Sequence, residues 1–376
     1  MHAGTVQSRA VRANVLIVAV LVAGCAGAPV KRRATAREAY DDGVAFLLKR
    51  QNPDWSFSHG GRTTGFDVPM GSPESHRAFK VACTALCVMA LRGNPGAAVA
   101  RRRAIDWLLA QGKTTRALPG ELYNVWTHIF VVQALAEDVR EDPVGRDWSG
   151  SHGNSPADVI VWNLRMLERY ESMWGGWQYY DWLGSQHPAL EPTSFTTASA
   201  LVAMHAASEA GIEVDPKRAI RIVEECRNPD GSYNYDWSRI PRPQAEINKK
   251  KGNISRAQAC NDALRLWRRV DRARVIADLD LFFREHKWLD VARKRPIPHE
   301  GWYAHAGYFY YYSHWYASRN IVWLGADGER FRRPLLDAIL PHQEADGSWW
   351  DFPDYTYDVF YGTAQALLAL RPFVSR

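Results

Sequence analysis

The stretch Gln343-Glu344-Ala345-Asp346-Gly347-Ser348-Trp349 ends one amphipathic segment and introduces a second, more apolar one. Related phrases stand at Asn228-Pro229-Asp230-Gly231-Ser232-Tyr233, at Trp174-Gly175-Gly176-Trp177 and at Gln51-Asn52-Pro53-Asp54-Trp55. A phrase that returns between two helical segments marks a repeat of helix pairs, and a repeat decides the fold before any local motif does. Asp-Gly makes a tight turn, and glycine at positive φ ends the preceding helix at little cost. The aromatic residue that follows is expected to plug the crevice between adjacent outer helices, which is a packing role.

Working outward from the turns, six helix pairs can be read. The first members cover 37–50, 97–111, 157–173, 216–226, 273–288 and 332–342. Their partners cover 77–91, 123–136, 194–210, 255–268, 303–321 and 357–370. Each first member carries one apolar stripe, such as Tyr40, Val44, Leu47 and Leu48, and is solvated on its other face. The second members are apolar nearly all round and are expected to be buried on both sides. An inner ring wrapped by an outer ring is an all-α (α/α)6 toroid, and closure leaves no end face to cap. The segment 239–252 reads as a long polar loop.

The 376 residues include 16 Trp, 16 Tyr and 13 Phe, enough to line a cavity as well as to fill the space between helices. At the N-terminus Arg9 and Arg12 precede a short apolar run from Val15 to Val22, the pattern of a leader. It ends Leu21-Val22-Ala23-Gly24-Cys25, which resembles a bacterial lipobox. That resemblance implies a signal peptide over 1–24, acylation of Cys25, a linker over 25–36 and a single toroid domain over 37–376. It also implies a lipid-anchored protein of the cell envelope; Ala26 in place of a retention Asp favours the outer membrane, facing the periplasm.

The formal net charge of +6 falls by two when Arg9 and Arg12 leave with the leader. The basic runs at 31–33, 101–103 and 249–251 are scattered and make no nucleic-acid stripe. Cys83 and Cys87 read as small buried hydrophobes, and a disulfide between Cys226 and Cys260 is open. No cofactor or metal is expected.

Gln343 to Trp349 is similar to the QW repeats of squalene-hopene and oxidosqualene cyclases, and Tyr357 to Leu370 looks like the inner helix that follows in that superfamily. Protein prenyltransferase β subunits share the barrel. The resemblance covers most of the chain after about residue 36 and bears on fold, because function lives in sites grafted on a scaffold. The cyclases' Asp-x-Asp-Asp acid is missing: Asp278-Leu279-Asp280 is followed by Leu281 and falls on an outer helix. The prenyltransferase zinc ligands are missing too, since Trp302 stands where the thiolate belongs and Asp358 where the imidazole belongs.

The remaining polar and aromatic residues cluster near the starts of the inner helices. Asp262, Asp358, His305 and Glu300 are the candidate acid–base groups. Trp126, His128, Trp302, Tyr303, Tyr308, Tyr312, His314 and Tyr361 are the candidate ligand contacts, joined by Tyr123, Asn124 and Asp354. His305, Tyr308 and Tyr312 are expected on one helical face. These residues support binding of, or action on, a hydrophobic isoprenoid or lipid-like ligand in an aromatic central cavity. A polysaccharide lyase or glycosidase, drawing on His305, Tyr308 and Arg319, and a non-catalytic scaffold are the alternatives.

Overall fold

A computed structural model describes residues 35–58, 73–116, 123–141, 153–181, 186–240, 242, 244–353 and 357–374. The leader, Cys25, most of the linker and Asp354 lie outside the described residues. Among the described residues no helix is long and apolar enough to cross a membrane.

Six helices form an inner ring: α2 (Pro73–Leu91), α4 (Asn124–Glu141), α6 (Ser194–Glu209), α8 (Lys250–Leu266), α11 (Tyr310–Leu324) and α13 (Asp358–Val374). Each packs on the next, and α13 packs back on α2, so the ring closes. The outer ring is α1 (Ala36–Arg50), α3 (Ala98–Gln111), α5 (Pro156–Tyr170), α7 (Lys217–Glu225), α9 (Arg272–Arg284) and α12 (Glu329–Ile339). These are packed chiefly on α13, α2, α4, α6, α8 and α11 respectively. A short α10 (Lys287–Ala292) follows α9. The expected all-α double ring is therefore what the chain forms.

Sequence patterning explains the individual helices. Helix α6 buries all but a few of its residues, as a helix walled in on both sides must. Helix α5 buries Val159, Ile160, Asn163, Met166 and Leu167 on one face and is fixed at its start by a capping box between Ser155 and Asp158. Two boundaries depart from expectation. Helix α8 begins at Lys250, so the polar loop is shorter than its composition suggests. The fifth inner helix begins at Tyr310 after a 3-10 turn, Gly307–Phe309, rather than at 303. At Gly307 a Cβ would lie 2.4 Å from the Asp351 carbonyl oxygen, so the backbone there is pressed against a neighbouring loop.

The recurring turn has one geometry. In the last copy the Gly347 amide donates to the Glu344 carbonyl at 3.0 Å, and the Asp346 carboxylate accepts from the Ser348 amide at 3.1 Å. Trp349 is fully buried; its amide donates to the Thr363 hydroxyl at 2.9 Å and its indole N–H to the Ile339 carbonyl at 3.1 Å. It lies so close to α1 that a Cβ on Gly43 would meet its ring at 2.7 Å. Trp177 repeats this clamp with Thr197, at 3.0 Å. In the first copy the plug is Phe57, buried and bonded to Thr84 at 3.0 Å, and not Trp55, which is 42% exposed. Trp55 occupies the glycine position of the turn at φ 72°, where Gly175, Gly231 and Gly347 have φ of 102°, 90° and 92°. Such a conformation costs a bulky residue about 1–3 kcal/mol.

A Cβ on Gly347 would lie 2.5 Å from the Asp42 carbonyl oxygen in addition to the positive φ. Gly347→Ala should therefore destabilise the protein by about 2 kcal/mol or more. Denaturant unfolding should show a lower midpoint; an unchanged midpoint would mean that the turn is not under this constraint.

Candidate functional site

The inner helices run parallel to one another, and residues at or just before their starts converge at one end of the ring. They line a cavity of about 140 Å³. Of its seventeen described lining residues thirteen are aromatic and none is charged. Phe79, Ala82, Cys83 and Leu86 come from α2, Trp126 and Phe130 from α4, and Phe195 from α6. Tyr308, Phe309 and Tyr312 come from the start of α11, and Tyr357, Tyr361 and Gln365 from that of α13. Phe79 and Tyr357 stack at 4.4 Å, and Phe195 meets Phe309 edge-on at 5.1 Å, so the rings hold one another in place. The amide oxygen of Gln365 is buried without a partner. Burial pushes the Cys83 thiol up to about 12, which makes it a wall group and not a nucleophile.

Acid groups stand behind the wall. Asp351 and Asp358 are both fully enclosed and share a side-chain hydrogen bond. Burial, then the neighbouring Asp358 carboxylate, raises Asp351 well above the usual carboxyl range, while burial raises Asp358 to about 6. Two adjacent buried carboxyls oppose each other's ionisation, so the pair holds its last proton more firmly than an isolated carboxyl would. The Tyr361 hydroxyl donates to Asp351 at 3.1 Å and its ring lines the cavity, which connects the acid pair to the site. Asp351 also accepts from the Tyr311 amide at 3.0 Å, and Asp358 from the Asp351 and Phe352 amides at 2.8 Å each. The pair thus ties the 351–352 segment to the starts of α11 and α13. Asp181, next to the lining residue Tyr180, is a further buried carboxyl, raised to about 6 by desolvation against the hydrogen bond from Asn124 at 3.0 Å.

A basic set stands next to the acid pair, between α8 and the start of α11. Arg256 is fully buried, donates to the Ile247 carbonyl at 2.7 Å and lies 5.1 Å from the ring centroid of Tyr235, another lining residue. His299 faces the Tyr308 hydroxyl at 3.3 Å, and burial pushes it down to about 4. His305 is bonded through Nδ1 to Ser255 at 3.1 Å and pushed down by burial and by Arg256.

Of the residues singled out from sequence, Tyr123, Trp126, Tyr308, Tyr312 and Tyr361 line the cavity, and Asn124 is bonded to Asp181 beside it. Asp358 and His305 are held in the shell behind it, and His305 precedes the helix instead of sharing its face with Tyr308 and Tyr312. Asp262 stands at the far end of the ring, ion-paired to Arg265 and, at 2.5 Å, to Arg319; neither Asp262 nor Arg319 reaches the cavity. His128 turns outward to Asn163 at 2.6 Å and is pushed down to about 4 by burial. His314 turns outward to His286 at 2.9 Å and is pushed down to about 3 by burial. Glu300 and Trp302 are exposed on a loop, and the hydroxyl of buried Tyr303 donates to the Ile297 carbonyl. Asp351, Asp181, Arg256, Tyr179 and Phe195 were not foreseen. All but Arg256 and Phe195 lie in turns, where periodicity carries no signal. Asp278, on α9, is bonded to Arg227 and to Asn261 of α8, apart from the cavity. Cys226 and Cys260 are buried free thiols.

No family model matches the chain, and no curated protein matches its sequence. Among solved structures it is similar to the GH76A alpha-1,6-mannanase from Salegentibacter sp. HEL1_6, at 8% identity and a TM-score of 0.56, covering 89% of this chain and 99% of that one. It is similar to the cellobiose 2-epimerase from Bacillus thermoamylovorans B4167, at 11% identity and 0.53, covering 90% and 97%. It is also similar to the type II terpene cyclase MstE from Scytonema, at 13% identity and 0.51, covering 90% and 97%. The fold is that of the (α/α)6 toroids. At these identities the likeness concerns the toroid alone, and it does not single out the squalene cyclase branch.

The toroid's acid pair sets a pH test. A carboxyl with a raised folded pKa contributes stability at low pH that is lost as pH rises through the folded value, here about 6 for Asp358. The amide of Asp351→Asn retains the hydrogen bond to Asp358 and removes the second charge. Thermal melts across that pH should show the variant gaining on the wild type by a few degrees as pH rises. A constant difference would mean that the two carboxyls do not share a proton.

Proposed function

We propose that the toroid binds, in its central cavity, the apolar end of a small ligand carrying one hydroxyl-type donor, such as an isoprenoid alcohol or a comparable lipid fragment. The observation that carries this reading is the lining, which among the described residues is uncharged and almost wholly aromatic. Sugar-cleaving chemistry calls for carboxylates that face the substrate at a set separation, whereas Asp351, Asp358 and Asp181 sit outside that lining. A volume of about 140 Å³ accommodates roughly one ring or branched hydrocarbon end, by comparison with apolar cavities that take benzene. The remainder of a longer ligand would pass out through the mouth. The Gln365 oxygen supplies one buried acceptor for a ligand hydroxyl. The Tyr361 hydroxyl, whose proton is committed to Asp351, can accept from a ligand hydroxyl at the cavity wall. The cyclase-like ancestry and an envelope location through acylated Cys25 belong to the same reading, because a lipid anchor would hold the mouth near a source of such ligands.

A carbohydrate-active site is the second reading. It draws on Asp181 and on Tyr308 facing His299 beside the cavity. Purification from the native envelope followed by native mass spectrometry separates the two. The wild type should carry an extractable lipid that Ala82→Phe, which fills the cavity, lacks. Stripped protein should show Trp126 quenching by farnesol, and Gln365→Leu should weaken farnesol about tenfold while leaving the parent hydrocarbon unaffected. An empty protein that ignores farnesol and responds to oligosaccharides would overturn the apolar reading.

A further inference from the structure

Helix α2 has two working faces. Phe79, Ala82, Cys83 and Leu86 face the central cavity, while His76, Arg77 and Lys80 face a separate groove of about 720 Å³ on the outer wall. The groove's other walls are the first turn, with Asp54 and Trp55, and α3, with Trp107 and Gln111. We propose that this groove is a second binding site, for a neutral oligosaccharide whose rings stack on Trp55 and Trp107.

Trp55 is the first reason. The three sibling turns place glycine at its position, so the fold does not require a side chain there. A tryptophan at φ 72° is strained, and its 42% exposure means that burial does not offset the strain. Strain retained on a ring whose cation contact, to Arg103, leaves it 42% exposed points to a role outside the fold.

Preorganisation is the second. The Arg103 guanidinium lies 4.0 Å from the Trp55 ring centroid, and the Lys80 ammonium 5.5 Å from that of Trp107. Lys80 is itself held by Asp54 at 2.7 Å. Both indoles are thus oriented before a ligand arrives, which lowers the entropy cost of binding.

The lining chemistry selects the class. A pyranose has an apolar C–H face and a rim of hydroxyls that both donate and accept. Indole faces suit the former; Asp54, Asp106, Gln111 and Lys80 offer acceptors and donors for the latter. Asp54 and Asp106 stand among Arg77, Lys80 and Arg103, and Asp54 neutralises Lys80, so the groove offers a polyanion little net charge.

The test uses calorimetry on the whole protein with cellohexaose, maltohexaose and chitohexaose, and with heparin as the charged control. At least one neutral probe should bind with a Kd below about 1 mM, unchanged between about 0.05 and 0.5 M salt. Trp55→Gly places the residue of the sibling turns in this one, so it should melt no lower than the wild type while losing at least tenfold in affinity. Trp107→Ala should lose a similar factor, and Ala82→Phe should lose none. Absence of binding by every neutral probe, full affinity in Trp55→Gly, or loss in Ala82→Phe would each overturn the proposal. Salt-sensitive binding of heparin alone would overturn the neutral class.

Discussion

The ring closes where the Gln343 side chain donates to the Ala39 carbonyl at 2.8 Å and to the Gly347 carbonyl at 2.9 Å. One amide thereby joins the last turn of the chain to its first helix, and Trp349 fills the space beneath. An open stack of helix pairs would leave the apolar faces of α13 and α2 uncovered; closure covers each with the other. The turn geometry serves this constraint. Phe57, Trp177 and Trp349 are each clamped by a threonine hydroxyl of the following inner helix, and Tyr233 by Asn261, so outer helix, turn and inner helix are tied together. Parallel inner helices then follow, and with them the convergence of the starts of α2, α4, α6, α11 and α13 on one cavity.

Two populations of aromatic residues result. Trp177, Trp349, Phe57 and Tyr233 seal the outer ring, while Phe79, Trp126, Phe195, Phe309 and their neighbours line the centre. Lining an opening with rings in place of charges leaves a space that favours apolar matter over water. The polar groups are set one layer back, acids behind Tyr361 and Arg256 with two imidazoles behind Tyr235 and Tyr308. Low dielectric and mutual proximity keep those acids partly protonated and those imidazoles neutral. The far end of the ring has the opposite character: Asp262 with Arg265 and Arg319, and Arg92 with Glu137, are ion pairs among helix ends.

The paired helices, their inner and outer assignment and the sealing role of the turn aromatics were legible from the sequence, because period 3.6 and a returning turn phrase are local signals. Tyr123, Trp126, Tyr308, Tyr312 and Tyr361 were legible for the same reason, lying near the starts of apolar helices. His128 and His314 show where that reasoning stops. Both lie on inner helices, and a helix buried on both sides gives no pattern that tells its central face from its outward one. Asp262 failed for a related reason: a buried acid on an inner helix can stand at either end of the ring, and Arg319, 57 residues away, claims it at the far one.

What the sequence determined by itself was the number of helix pairs, their order and the chemistry of the turns, since these depend on residues a few positions apart. Tertiary structure alone decided which residues share a space. Asp351 meets Asp358 and Tyr361, Arg256 meets Tyr235, and Trp55 meets Arg103, because ring closure brings together loops that the chain keeps far apart. It also decided that Trp55, read from sequence as the aromatic plug, stands at the turn's positive-φ position and leaves the plug to Phe57, since the register of a turn is set by the hydrogen bonds that close it and not by the phrase that marks it.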